Sequence, residues 1–145
     1  MAKLQVELVT AEGRVLSQEA DFVLAPGLAG ELGVLPRHIP LLTPLRTGEV
    51  LVRNDGKEEY LFVAGGFLEV LPDRVVILAD VAERAEDIDE ARAQEARKRA
   101  EDALAQDQTN AEAAAMLERE VMRLRVAEIR RHRRERPSGP PPSDQ

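Results

Sequence analysis

The run Ile88-Asp89-Glu90-Ala91-Arg92-Ala93, followed by Arg99, places two cationic residues and one anionic residue at helical spacing. By i, i+3, i+4 and i+7 logic, Ile88, Asp89, Arg92, Ala93 and Arg99 lie near one helical face. Further on, Arg119 and Arg123 are four residues apart and share a face of a following helix. Guanidinium forks suit phosphate oxygens, and a carboxylate accepts hydrogen bonds from an amino group, so one chemistry for this set is a phosphate-bearing ligand. The competing chemistry is ordinary helix electrostatics, with Asp89 favouring a helix N-terminus and Arg92 and Arg99 making surface ion pairs.

The arginines continue as Arg119, Arg123, Arg125, Arg130, Arg131, Arg133, Arg134 and Arg136. Residues 119–136 carry 8 basic and 3 acidic side chains, a local net charge of +5, in a chain whose total is −7. Residues 1–84 hold 8 basic against 13 acidic, and 86–112 hold 4 against 9. Such an arm implies an acidic partner surface or a phosphate ligand. Nucleic acid fits poorly, because the arm has no aromatic residue for base stacking and the chain as a whole is acidic.

Evidence for catalysis is thin. Two histidines are present, the serines at 17, 138 and 143 lack a Gly-x-Ser-x-Gly setting, and no Walker loop exists. Gly27, Gly30 and Gly33 follow Pro26 with no helix after them, which does not fit a dinucleotide fingerprint. With no cysteine, disulfides, thiolate nucleophiles and zinc ribbons are excluded, which leans toward a reducing compartment. No apolar run approaches the ~20 residues that span a bilayer, so a soluble protein is expected, without direct membrane insertion. The start, Lys3-Leu4-Gln5-Val6-Glu7-Leu8-Val9, alternates as a strand and not as a secretory signal.

The elements that must position these residues fall into two blocks. Residues 1–84 are short runs of Val, Leu and Phe between turns, expected as strands at Leu4–Thr10, Arg14–Ser17, Asp21–Leu24, Glu49–Arg53, Glu59–Ala64, Gly66–Leu71 and Arg74–Ala79. Asn54-Asp55-Gly56 and Pro72-Asp73 read as hairpin turns. The fold class expected is α+β: an antiparallel β-sandwich of about ten strands, then an antiparallel two-helix hairpin. Gly65-Gly66, inside a good strand pattern, predicts a bulge or a close backbone approach.

From 86 to 135 the composition shifts to Ala, Glu, Arg and Gln, with no Gly or Pro before Pro137. The reading is two helices, about 88–105 and 110–134, linked over 106–109, with caps expected from Asp87 with Glu90 and from Thr109 with Glu112. The facing stripes are expected at Ile88, Ala91, Ala96, Ala100, Ala103 and Leu104, and at Ala111, Ala114, Leu117, Val121, Leu124 and Ile129. Alanine faces bury little area at ~0.8 kcal/mol per methylene, so the hairpin could detach with its helices intact, or stay permanently docked. Residues 136–145 read as a disordered tail.

Three stretches carry a family resemblance. Residues 30–45, with Pro36, Pro40 and Pro44, combine loop punctuation with aliphatic content; Gly65-Gly66-Phe67-Leu68-Glu69-Val70 and Ala82–Ala93 follow in order. Together, from about Lys3 to Ile129, the chain resembles the epsilon subunit of bacterial F-type ATP synthases. The resemblance implies a non-catalytic central-stalk subunit of the proton-translocating complex, with the gamma subunit, the c-ring and the alpha and beta catalytic subunits as partners. It implies ATP as a regulatory ligand and not a required cofactor, held by Glu83, Ile88, Asp89, Arg92, Ala93, Arg99, Arg119 and Arg123. No metal is implied.

By the same resemblance, Arg119, Arg123, Arg125 and Arg130 inhibit ATP hydrolysis by contacting the catalytic subunits when the hairpin extends, and Glu31 and His38 contact the c-ring. Arg37 replaces the glycine usual before that histidine. The location implied is peripheral, on the cytoplasmic face of the bacterial plasma membrane. The alternative reading is a stand-alone ATP-sensing adaptor unrelated to a rotary motor, which would not co-purify with a gamma-like subunit.

Overall fold

Alternation of inward and outward residues produces eight strands: β1 (Leu4–Thr10), β2 (Gly13–Ala20), β3 (Phe22–Gly27), β4 (Gly30–Val34), β5 (Leu41–Pro44), β6 (Gly48–Asn54), β7 (Lys57–Leu71) and β8 (Arg74–Arg84). The computed structural model describes residues 2–135. The tail expected over 136–145 lies outside the described residues, as do Arg136 and the side chain of Arg134.

The expected count of about ten strands is corrected to eight among the described residues: Glu59–Ala64 and Gly66–Leu71 are halves of one fifteen-residue strand, β7, while β4 and β5 lie in the proline-punctuated segment. Its register with β8 runs unbroken through the diglycine, from Ala64 opposite Val81 to Gly66 opposite Ala79. No residue is inserted, so close approach and not a bulge explains the pair. Gly66 has φ 117°, and a Cβ there would lie 2.0 Å from the Leu78 carbonyl oxygen. The strand order is β2-β1-β8-β7-β6-β3-β4, with β5 paired to β7. The expectation of a wholly antiparallel sheet is also corrected: β1 runs parallel to β8, which sets the first strand of the sandwich beside the last.

Two apolar clusters flank the sheet. Leu4, Val6, Leu8, Val23, Val50, Val52, Leu61, Val63, Val75 and Ile77 fill the interior of the sandwich. Leu51, Tyr60, Phe62 and Ala64 point to the opposite face and form a second cluster with Ala85, Ile88, Val126 and Ala127. Residues 60–64 are therefore buried on both faces, which is why they read as a continuous apolar run.

A 3-10 turn (Ala85–Asp87) leads to helix α1 (Glu90–Gln106), and residues 107–110 link it to α2 (Ala111–Glu135). Both expected caps shift. Asp89, not Asp87, caps α1 by accepting from the Arg92 backbone N–H at 3.1 Å. Asn110, a stronger cap than threonine, accepts from Ala113 N at 3.0 Å, while Thr109 turns back to Asp107. The interhelical stripe is also corrected: Ala93, Ala96, Ala100 and Ala103 on α1 and Ala113, Leu117, Glu120, Leu124 and Ala127 on α2 are buried or half-buried. Their alternating three- and four-residue steps are the seam of a close helix pair. Ala91, Ala111, Ala114 and Val121 face solvent instead.

Candidate functional site

The cationic arm folds back onto the protein's own carboxylates. Because α2 lies across β6 and β7 with Met122, Val126 and Ile129 toward the sheet, its arginines emerge along both edges of that contact. Arg123 reaches Glu83 on β8 at 2.7 Å, and Arg130 reaches Glu86 in the 3-10 turn at 3.4 Å. Arg131 reaches Glu90 at the start of α1 at 2.9 Å, and Arg133 reaches Glu58 on β7 at 3.1 Å. Four arginines on one helix are thus paired with carboxylates on four other elements.

The innermost pair is a triad. Arg123 also holds Glu120 at 2.9 Å, and Glu120 is only 6% exposed. Burial works against the charge of Arg123, but hydrogen bonding to Glu83 and the fields of Glu83 and Glu120 outweigh it, so its pKa lies above the ordinary arginine value. Glu120 was missed in the sequence; its signal is a charge at the position where the Ala113, Leu117, Leu124, Ala127 seam requires an inward residue.

At the far end, Glu58 accepts from Arg53, from Arg133 and from the Tyr60 hydroxyl. Burial pushes Glu58 up, yet the hydrogen bonds from Tyr60 and Arg53 and the charge of Arg133 leave it below the usual carboxylate range. Burial first, and the bond to Glu58 second, push Tyr60 up to about 12. The Arg133 guanidinium lies 6.0 Å from the Tyr60 ring centre, and Arg53 lies 5.3 Å from that of Phe22.

The eight residues grouped for a nucleotide are only partly brought together. Glu83 and Arg123 are bonded to each other; Ile88 is buried in the second cluster and Ala93 in the helix seam. Asp89 spends one oxygen on the α1 cap, while Arg92, Arg99 and Arg119 are exposed. A guanidinium group donates to phosphate oxygens, and the Asp89 oxygen outside the cap bond accepts from an amino group. Arg123 would have to be shared with Glu83 and Glu120.

Of the residues grouped for inhibition, Arg123 and Arg130 are in the ion pairs above, whereas Arg119 and Arg125 are exposed. Arg125 lines a cleft of about 280 Å³ between α2 and the sandwich, with Glu31, Arg46, Glu49 and Glu118. Burial, and next the charge of Glu31, raise the pKa of Glu49 above the ordinary glutamate value; Arg125 and Arg133 oppose the shift.

The proline-punctuated segment divides by side. Val34 and Leu45 point into the core, while Leu35, Ile39 and Leu42 are exposed, Ile39 by 76%. Arg37 has φ 70°, the left-handed region in which glycine is unstrained. Its N–H bonds to the Pro72 carbonyl at 2.6 Å, and the His38 ring donates from Nδ1 to the Ile39 carbonyl at 2.7 Å. Glu31 sits at the start of β4, on the rim of the α2 cleft.

Comparison with known proteins covers both blocks. Residues 3–85 match the profile of the ATP synthase delta/epsilon chain β-sandwich domain, and residues 86–128 match that of its long α-helix domain. An ATP synthase epsilon chain of Dehalococcoides mccartyi is 54% identical over 135 residues, covering 90% of this chain and 96% of the relative. One from Herpetosiphon aurantiacus is 50% identical over 133 residues, covering 90% and 98%. Among solved structures, a chain of the Euglena gracilis mitochondrial ATP synthase OSCP/F1/c-ring assembly superposes with TM-score 0.67 at 23% identity, covering 93% of this chain and 83% of that one.

Proposed function

The chain belongs to the epsilon chains of the F-type ATP synthases, non-catalytic subunits of the central stalk, and on that premise we propose that its sandwich transmits rotation while its hairpin regulates hydrolysis. In this reading the sandwich joins a gamma subunit to a c-ring in a proton-translocating complex, with Glu31, His38 and the exposed Leu35, Ile39 and Leu42 at the ring contact. Such a complex is membrane-associated, and no described helix is long and apolar enough to cross a membrane. The chain sits peripherally, on the cytoplasmic face of a bacterial plasma membrane.

The observation that carries the regulatory part is the independence of the two cores. Among the described residues, the sandwich interior contains none from the hairpin, so α1 and α2 can leave without opening it. Once extended, Arg119, Arg123, Arg125 and Arg130 face an acidic segment of the catalytic alpha and beta subunits and block ATP hydrolysis. ATP holds the hairpin docked. Arg92, Arg99, Arg119 and Arg123 would take its phosphates, Asp89 its amino group, and Glu83, Ile88 and Ala93 would frame the site.

The test is hydrolysis by the reconstituted complex with and without residues 86–145. A rise in hydrolysis on truncation, with synthesis retained, is expected. Unchanged hydrolysis would remove the inhibitory role. Calorimetric titration of the isolated chain with ATP tests the ligand, and absence of heat would return Asp89 and Arg92 to capping and surface roles.

A further inference from the structure

We propose that Glu58, Glu83, Glu86 and Glu90 act as an internal substitute for an acidic partner: they hold the arginines of α2 closed, so that hairpin release and partner binding are a single exchange of ion pairs. This rests on the reading above that the released arginines meet an acidic surface. Four contacts carry it: Arg123 to Glu83, Arg130 to Glu86, Arg131 to Glu90 and Arg133 to Glu58, between 2.7 and 3.4 Å. Each carboxylate lies outside α2, on β7, on β8, in the 3-10 turn or at the start of α1.

The exchange has two consequences that simple charge attraction does not. An acidic ligand must displace internal carboxylates, so its apparent affinity is reduced by the fraction of chains that are docked. Salt also acts on both sides. It weakens the internal pairs and the new ones alike, so binding by the intact chain varies little with ionic strength, whereas a chain lacking the internal carboxylates shows the steep dependence of an open cationic arm.

The experiment uses the full chain, which has no native cysteine. Spin labels on Ala11→Cys in the β1–β2 turn and Gln108→Cys in the interhelical link report docking by pulsed electron paramagnetic resonance. A fluorescent polyglutamate peptide is the ligand probe. The variant is Glu58→Gln/Glu86→Gln/Glu90→Gln, and the charge-matched control is Glu95→Gln/Glu112→Gln/Glu118→Gln.

With each partly exposed pair contributing a fraction of a kcal/mol, the variant is expected to bind polyglutamate about tenfold more tightly and to show a longer-distance population. The control should match wild type in both. Added polyglutamate should also shift wild type toward the long distance. Equal affinity for variant and control, a wild-type salt dependence as steep as the variant's, or a wild-type distance that polyglutamate leaves unmoved overturns the proposal; the last readout needs no carboxylate substitution and survives a variant that fails to fold. A variant that undocks yet binds no better overturns it too.

The underlying reading is judged apart from this, by hydrolysis in the reconstituted complex carrying Arg119→Gln/Arg125→Gln. Relief of inhibition there, with no effect of the internal carboxylates here, would discard the exchange and keep the inhibitory contact.

Discussion

Arg123 on α2 donates from both Nε and Nη2 to a single oxygen of Glu83 on β8, at 3.0 and 2.7 Å, while its third nitrogen holds Glu120. One guanidinium thus ties helix to sheet and neutralises a buried carboxylate on its own helix. The asymmetry matters when either partner is removed.

Arg123→Met leaves Glu120 charged and enclosed, and should destabilise the docked hairpin by about 2–4 kcal/mol. Glu83→Gln keeps Arg123 paired with Glu120 and should cost only ~1 kcal/mol. Hydrogen exchange of α2 amides in the two variants gives the ranking; equal protection would show that Glu120 finds another partner.

Asp89 has two duties that one substitution cannot separate. Asp89→Ala should lower helix content at the start of α1 by removing a cap of about 1 kcal/mol, and abolish ATP binding as well. Asp89→Ser keeps a capping oxygen, so circular dichroism should stay at the wild-type level while ATP heat disappears in calorimetry. Retained heat in Asp89→Ser would mean that the carboxylate contributes to the fold and not to the ligand.

Arg37→Gly should raise stability to urea by ~0.5–1 kcal/mol, because a β-carbon at φ 70° is strained and the gain exceeds the added freedom of the unfolded chain. A fall in the urea midpoint would show that the arginine side chain contributes more than its backbone costs.

Glu49 has a raised pKa, so its contribution to folding is fully present below its unfolded value of 4.5 and is lost as pH rises through the folded value. Glu49→Gln should therefore be more stable than wild type at neutral pH and equally stable at pH ~4. Urea midpoints read across that range decide; a variant less stable at neutral pH reverses the sign.

Tyr60 is the sole tyrosine and no tryptophan is present, so its ultraviolet titration is free of overlap. Ionisation should centre at about 12 in the intact chain and fall toward 10 in Glu58→Gln. The neutral phenol is the form the docked state favours, so this contribution is whole below pH 10 and disappears as pH rises through about 12. An unmoved midpoint in Glu58→Gln would assign the shift to burial alone.

Local signals were legible wherever one residue type answers to one geometry. Asp55-Gly56 turned the β6–β7 hairpin with φ 51° and 82°, and the diglycine marked a place where backbone crowds backbone. The helical block was legible from its composition, and the loss of the caps to Asp89 and Asn110 reflects competition between neighbours of similar strength. What could not be read was partnership at a distance. Ala91 and Ala93 look alike in sequence, but only Ala93 meets α2, and Glu120 looks like one more surface glutamate until Arg123 and the seam enclose it. The contact of α2 with the sheet was out of reach for the same reason: its floor of Leu51, Tyr60 and Phe62 lies far earlier in the chain than the helix that covers it.

That aromatic floor gives the hairpin a thermal character. Undocking wets Leu51, Tyr60, Phe62 and Ala64 together, and newly hydrated apolar surface raises heat capacity. The force holding α2 down is then largely entropic near room temperature and fades on cooling, while the cost of stripping water from its arginine pairs is what falls on warming. Both trends favour docking on warming and are opposed by the conformational entropy that docking costs, so the docked population passes through a maximum, and a protein chilled well below it releases its hairpin.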